Sequence, residues 1–129
     1  MRTFATCLVK ALVLSLLSVD AFAASDYYPS ISGNWVVEDK SNWNGKTVQI
    51  TQAEATIVGV THPAGHKGGG SYSSQTTFTW NAELAPPPSG SGGNRIYNCE
   101  LKEKGTDGIY HVINCYEAGK TEPAHIWRR

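Results

Sequence analysis

The chain has 129 residues and equal numbers of basic and acidic side chains, 11 of each, so its formal net charge at pH 7 is zero. Such a balance provides no electrostatic attraction for nucleic acid or for an anionic membrane surface, and we expect neither as a partner. The length is that of one domain with a modest core, which a covalent cross-link would help to stabilise.

Residues 1–23 have the pattern of an export signal that is removed from the mature protein. Arg2 and Lys10 form a basic start, residues 11–19 form an apolar run too short to span a bilayer, and two alanines stand at the cleavage-site positions. Cleavage leaves a single domain, residues 24–129, which we expect to be secreted or periplasmic. No second apolar run is long enough for a membrane span, and we expect none.

The mature sequence consists of short segments rich in Val, Ile, Thr, Tyr and Trp that are separated by turns, which predicts an all-β fold. The first strand is expected over residues 33–39, and Asn44-Gly45 then marks a turn. Residues 46–52 alternate between apolar and polar side chains, and residues 56–62 form the next expected strand.

A glycine-rich segment, residues 63–75, is expected to form a loop. Residues 76–84 show the cleanest alternation in the chain, with Phe78 and Trp80 on the same face, and predict a half-buried antiparallel strand. Residues 85–93 are rich in Pro, Gly and Ser and predict a flexible connection within the domain.

The last third of the chain predicts a hairpin formed by residues 95–104 and 109–117. If the hairpin is centred on Asp107, Cys99 lies directly opposite Cys115, where facing Cβ atoms are about 4.5–5.5 Å apart. These two are the only cysteines left once the leader is removed, and an even pair in an oxidising compartment predicts a disulfide.

Residues 122–129 can close the sheet as a final strand, for a total of six or seven strands. Strands in this order predict an antiparallel meander that forms a small barrel or a tightly rolled sheet, with one disulfide inside a hairpin. No helix interrupts the pattern.

Gly33 and Trp35 at the start of the first strand, together with Arg128 and Arg129 on the last, resemble the calycin superfamily of lipocalins, avidins and small bacterial relatives. In that group the indole of a Gly-x-Trp motif lies at the closed end of the barrel, and a basic residue of the last strand packs over it. The resemblance implies structural roles for Gly33, Trp35 and one of the two arginines, of which we assign Arg128. Bacterial metalloprotease inhibitors are calycins of similar size.

Four aromatic residues are candidates for ligand binding. Trp43 lies in a turn between two asparagines, where an exposed indole is a platform for a sugar ring unless it folds back over the barrel end. Phe78 and Trp80 line a cavity if the barrel is open and fill it if the barrel is narrow. Tyr72 belongs to the expected glycine-rich loop.

His62 and His66 are weak candidates for metal ligands. Pro63 and Gly65 argue against the helix that would align both imidazoles, and no acidic residue or cysteine lies nearby, so we expect a solvated loop and neither a metal nor another cofactor. No serine stands in a strained nucleophile turn, and a disulfide leaves no free thiol. We therefore expect no catalytic residues and no enzymatic activity.

These features predict a secreted, non-enzymatic binding protein that holds a small apolar or aromatic ligand at the mouth of a barrel, rimmed by the two long loops. One alternative is a protein-interaction module, such as a secreted enzyme inhibitor or effector, whose partner is a secreted protein. A further alternative is a glycan-binding module that uses Trp43.

Overall fold

The structure is a computed structural model that describes residues 28–129, so the expected leader, residues 1–23, lies outside the described residues. Nothing helical within residues 28–129 has the length and apolar character that a membrane crossing requires. The described chain is all-β, as the sequence predicts. Its strands are β1 (Gly33–Val37), β2 (Thr47–Ala53), β3 (Thr56–Thr61), β4 (Lys67–Tyr72), β5 (Thr77–Glu83), β6 (Asn94–Lys104), β7 (Tyr110–Glu117) and β8 (His125–Arg128).

The strands form a closed antiparallel barrel in which each strand pairs with the next and β8 pairs with β1. The β1–β8 seam is short: Val36 lies opposite Arg128, and Val37 lies opposite Trp127. A hydrogen bond from the Glu38 N–H to the Ile126 carbonyl (2.8 Å) extends the seam by one step. The predicted meander and its final strand are thus confirmed, in the closed form.

The prediction of a continuous loop over residues 63–75 is wrong, because Lys67–Tyr72 form β4 and raise the number of strands to eight. Glycine has low strand propensity and carries no alternating side chain, so this segment lacks the usual strand signal. Its backbone lies unusually close to both neighbours. A Cβ on Gly70 would overlap the Thr79 carbonyl oxygen of β5, and one on Gly69 would overlap the Ile57 carbonyl oxygen of β3.

The β6–β7 hairpin has the predicted register. Cys99 pairs with Cys115, Leu101 pairs with Ile113, and a disulfide joins the two cysteines. Both cysteines are fully buried, so the cross-link belongs to the core of the barrel.

The barrel interior is filled by side chains at alternating strand positions, as the period of two in residues 76–84 predicts. The core combines aromatic rings with aliphatic side chains and the disulfide. Its largest fully buried side chains are Trp35, Trp80, Trp127, Phe78, Ile31, Ile57 and Ile113.

The two ends of the barrel differ. Connections 38–46, 62–66, 84–93 and 118–124 all lie at one end, which we call the long-loop end. The opposite end, which we call the closed end, has shorter turns and is covered by the chain that precedes β1. There Ile31 is fully buried, and its carbonyl accepts a hydrogen bond from the Trp35 indole N–H (2.9 Å).

At the closed end, Arg129 and not Arg128 packs over Trp35. The Arg129 guanidinium carbon lies 4.3 Å from the centre of the indole ring. Arg128 points outward, and its guanidinium is hydrogen-bonded to the carboxylates of Glu38 (2.8 Å) and Glu103 (3.1 Å). The packing role that the calycin resemblance implies therefore falls to Arg129.

Candidate functional site

A groove of about 500 Å³ opens at the long-loop end, between the β1–β2 loop and the β7–β8 loop. Its walls carry carboxylate, ammonium, hydroxyl and amide groups together with a few apolar side chains. The lining residues are Glu38, Asp39, Lys40, Ser41 and Asn44 on one side and Glu122, Pro123, Ala124 and Ile126 on the other.

The β1–β2 loop is held in one conformation by a chain of local hydrogen bonds. The Ser41 N–H donates to Asp39 Oδ1 (2.9 Å), and the Trp43 N–H donates to Ser41 Oγ (3.2 Å). Asp39 Oδ2 accepts from the N–H of Ile126 in β8 (3.3 Å), which ties the loop to the opposite wall. Burial opposes ionisation of Asp39, but the hydrogen bonds from Ser41 and Ile126 outweigh it and lower the pKa of the carboxyl group.

Of the four predicted ligand-binding residues, Trp43 is the most exposed to solvent. It lies in the β1–β2 loop next to the groove residue Asn44, and 38% of its surface is exposed. Phe78 and Trp80 are fully buried in the core, and Trp80 donates its indole N–H to the Gly68 carbonyl (3.1 Å). The structure therefore does not bring the four candidates together.

Tyr72 lies at the far end of the molecule from Trp43. It is the last residue of β4, at the closed end, and its hydroxyl donates to the Pro29 carbonyl (2.6 Å). Burial raises the pKa of this phenol above its usual range, so the hydroxyl stays protonated and holds the segment before β1 in place.

Three histidines lie together beneath the loops of the long-loop end. The ring of His62 is 4.8 Å from that of His125 and 5.8 Å from that of His66, centre to centre. We call these three residues the histidine cluster. Tyr97 packs edge-on against His125 at 4.9 Å, and Trp80 lies 5.7 Å from the same ring.

The histidine cluster contains polar atoms that are buried among apolar rings. His62 is only 2% exposed, and its Nδ1 accepts a hydrogen bond from the Ala64 N–H (3.1 Å), so the neutral ring carries its proton on Nε2. Neither this Nε2 nor the Nε2 of His125 has a hydrogen-bond partner among the described residues. His66 is anchored through its Nδ1, which accepts from the Ala85 N–H (3.2 Å).

Burial sets the charge of the histidine cluster. Desolvation, reinforced by the neighbouring imidazoles of His125 and His66, lowers the pKa of His62 to about 4. Desolvation likewise lowers the pKa of His125 to about 4, and that of His66 is also lowered. All three rings are therefore neutral at pH 7.

The sequence indicates His62 and His66 as a pair but gives no sign of His125, which follows them by about sixty residues in the chain. No local pattern connects these positions, because the contact exists only once β8 has joined the barrel. Within residues 28–129, no group of three or more His, Cys, Asp or Glu side chains has the geometry to hold a metal ion.

The closed barrel of eight antiparallel strands agrees with a calycin-like architecture in general. Comparison of the chain with family models, with characterised proteins and with solved structures found no match. The long-loop end holds the groove, the β1–β2 loop that carries Trp43, and the histidine cluster.

Proposed function

We propose that the protein is an exported, non-enzymatic binding protein of calycin type that binds a carbohydrate in the groove beside Trp43. The observation that carries this proposal is the internally hydrogen-bonded β1–β2 loop, which carries the partly exposed Trp43 and supplies one wall of a groove with polar and apolar lining. A binding surface that is ordered in advance loses less conformational entropy when a ligand arrives. Export rests on the leader pattern of residues 1–23.

The groove offers a sugar both apolar surface and polar groups. A sugar ring has a C–H face that packs on an indole, and its hydroxyls need both hydrogen-bond donors and acceptors. Lys40 offers an ammonium group, Asn44 an amide and Glu122 a carboxylate on the two walls. The volume of about 500 Å³ is in the range of small-ligand sites.

Two other carboxylates that line the groove, those of Glu38 and Asp39, are held in hydrogen bonds within the protein. Both oxygens of Glu38 accept hydrogen bonds from Arg128, and both oxygens of Asp39 accept from backbone N–H groups. Groups held in this way shape the wall and are poorly placed to exchange protons with a substrate. This supports binding over catalysis.

A small apolar or aromatic ligand at the barrel mouth, the function that the sequence favoured, receives less support. Phe78 and Trp80 would have to leave a packed core to contact it, because both are fully buried. A secreted protein partner would bind the same long loops. The experiment below distinguishes such a partner from a sugar ligand.

The test is calorimetric titration of the purified protein with a panel of mono- and oligosaccharides. We expect the Trp43→Ala variant to bind at least about tenfold more weakly, because losing an aromatic anchor costs more than ~1.4 kcal/mol. Its thermal unfolding should match that of the unmodified protein, since Trp43 lies in an exposed loop. Val58→Ala is the matched control, because Val58 is a 58% exposed apolar residue of β3.

Equal sugar affinity in the Trp43→Ala and Val58→Ala variants would refute the role of Trp43. If no sugar binds, the carbohydrate proposal fails. Apolar dyes that quench the buried tryptophans would then support the barrel-mouth ligand, and inhibition of a secreted protease would support a protein partner.

A further inference from the structure

One wall of the groove lies directly in front of the histidine cluster. His125 stands between Ala124 and Ile126, both of which line the groove, while its own ring faces His62 inside the barrel. The wall is held by the pairing of His125 and Ile126 with Cys115 and Asn114 of β7. Hydrogen bonds from the Ala124 N–H to the Cys115 carbonyl (2.7 Å), from the Ile126 N–H to the Asp39 carboxylate and from the Glu38 N–H to the Ile126 carbonyl add to it. A displacement of the backbone at His125 would therefore move a wall of the proposed binding site.

The charged and titratable groups around His62 and His125 come from every neighbouring element. From the β1–β2 loop, Asp39 favours protonation of both rings, and from β7, Glu117 favours protonation of His125. From β6, Arg95 opposes protonation of His125, as does His66 of the β3–β4 loop. Tyr97, also from β6, is hydrogen-bonded to Arg95 and stays neutral because burial raises the pKa of its phenol.

None of the carboxylates among these groups forms a direct ion pair with the imidazole of His62 or His125. Among the described residues no carboxylate forms an ion pair with His62 or His125, and Glu117 is paired with Arg95 at 3.4 Å. Both carboxylate oxygens of Asp39 accept hydrogen bonds from backbone N–H groups. A proton added to either imidazole would therefore leave a poorly compensated charge among apolar rings, with another imidazole 4.8 Å away.

The charge of a protonated imidazole can become solvated at one position, that of His125. His125 begins β8 and follows the 118–124 loop, so its segment can separate by breaking the first two residue pairs of β8 with β7 and the hydrogen bonds to Glu38 and Asp39. The pairs that Trp127 and Arg128 form with β7 can remain. His62, by contrast, follows β3 and is held by its bond from Ala64. We propose that the histidine cluster is a proton sensor: acidification swings the segment 124–126 outward, opens the wall of the groove and releases the ligand bound there.

Release of a ligand rests on the proposed function, but opening of the wall does not. In the closed form the pKa of His125 is about 4, whereas a solvated imidazole has its ordinary value near 6.5. The open form consequently binds more protons between these two values. Its population relative to the closed form rises by up to about tenfold for each pH unit of acidification, and above pH 6.5 the closed form is favoured.

The experiment measures opening and binding separately in the purified protein at pH 7.5 and pH 5.0. Hydrogen exchange of the amides in residues 124–127, corrected for the intrinsic pH dependence, reports opening without any ligand. Calorimetry with the tightest sugar of the panel reports release. We expect exchange to be at least tenfold faster at pH 5.0, and sugar affinity to be weaker there in proportion to the fraction of closed protein that is lost.

His125→Gln removes the titrating ring and keeps a polar side chain of similar length, so both pH effects should disappear. His111→Gln is the matched control, because His111 is a partly exposed histidine of β7 that contacts Asp107 at the closed end, and it should keep both effects. If His125→Gln fails to fold, as judged by near-UV circular dichroism, His125→Phe takes its place, because it keeps an aromatic ring at this position without a titratable group.

Identical exchange at the two pH values, or a pH effect that survives in His125→Gln, would overturn the sensor. Sugar binding that is equal at both pH values would also overturn it and leave the proposed function intact. Wall opening that depends on His125 in a protein that binds no sugar would support the sensor and refute the carbohydrate ligand.

Discussion

Arg129 seals the closed end of the barrel through contacts that Arg128 does not make. Besides lying over Trp35, its guanidinium donates to the carbonyls of Tyr110 (3.1 Å) and Ser30 (3.0 Å). The resemblance predicted a guanidinium over Trp35. The choice between two adjacent arginines depended on which faces inward, and two consecutive residues on a strand face opposite sides.

We expect Arg129→Ala to lower the free energy of unfolding by about 2 kcal/mol, because it removes a cation–π contact and two charge-assisted hydrogen bonds. Arg128→Ala should cost less than about 1 kcal/mol, since its ion pairs are exposed to solvent. Urea unfolding monitored by tryptophan fluorescence measures both. Equal losses in the two variants would contradict the assignment of roles.

At the scale of the element, β4 shows where sequence patterns stop being informative. The alternation of residues 76–84 placed Phe78 and Trp80 correctly, because polar and apolar side chains record which face is buried. The three glycines of β4 have no side chains, so their sequence does not show which face of the strand is buried. These glycines form a strand because the backbones of β3 and β5 lie close to β4 on either side. That close approach depends on residues distant in sequence.

Gly70→Ala should therefore destabilise the barrel by about 1–3 kcal/mol, the usual cost of forcing an extra methyl group into a closely packed site. The new Cβ would overlap the Thr79 carbonyl oxygen, so β4 and β5 must separate. Gly59→Ala in β3 is the control: its Cβ meets nothing within 4 Å, and we expect little change or a slight gain in stability. Thermal unfolding by circular dichroism compares the two, and a Gly70→Ala variant as stable as Gly59→Ala would show that the close approach is not required.

At the scale of the whole molecule, the disulfide reinforces a hairpin that the strands already define. Cys99 and Cys115 are separated by 16 positions, and their predicted pairing follows from simple hairpin symmetry. The position of the histidine cluster could not be predicted in this way, since His62 and His125 meet only across the finished barrel. Local pairings were thus predictable from the sequence, whereas contacts between its distant parts were not.

Replacing both cysteines with alanine should lower the free energy of unfolding by about 3 kcal/mol, the chain-entropy value for a loop of this size. Because the cross-link lies within one hairpin and not across the β1–β8 seam, we expect the variant to keep the near-UV circular dichroism of a folded barrel. Guanidinium unfolding gives the difference, with the fully reduced unmodified protein as a reference. Loss of the folded spectrum in the double variant would mean that the barrel cannot form without the bond.

If the groove binds a ligand as proposed, the β1–β8 seam also determines when binding becomes possible. All other strand pairs are hairpins between neighbours, but the contact of Arg128 with Glu38 spans 90 residues, the kind of long-range contact that forms slowly. The two loops that form the groove flank this seam on either side. A chain whose first and last strands have not yet met is an open sheet with no groove. We therefore expect the proposed ligand binding to appear only once the seam has formed, so that it would measure completed barrels directly.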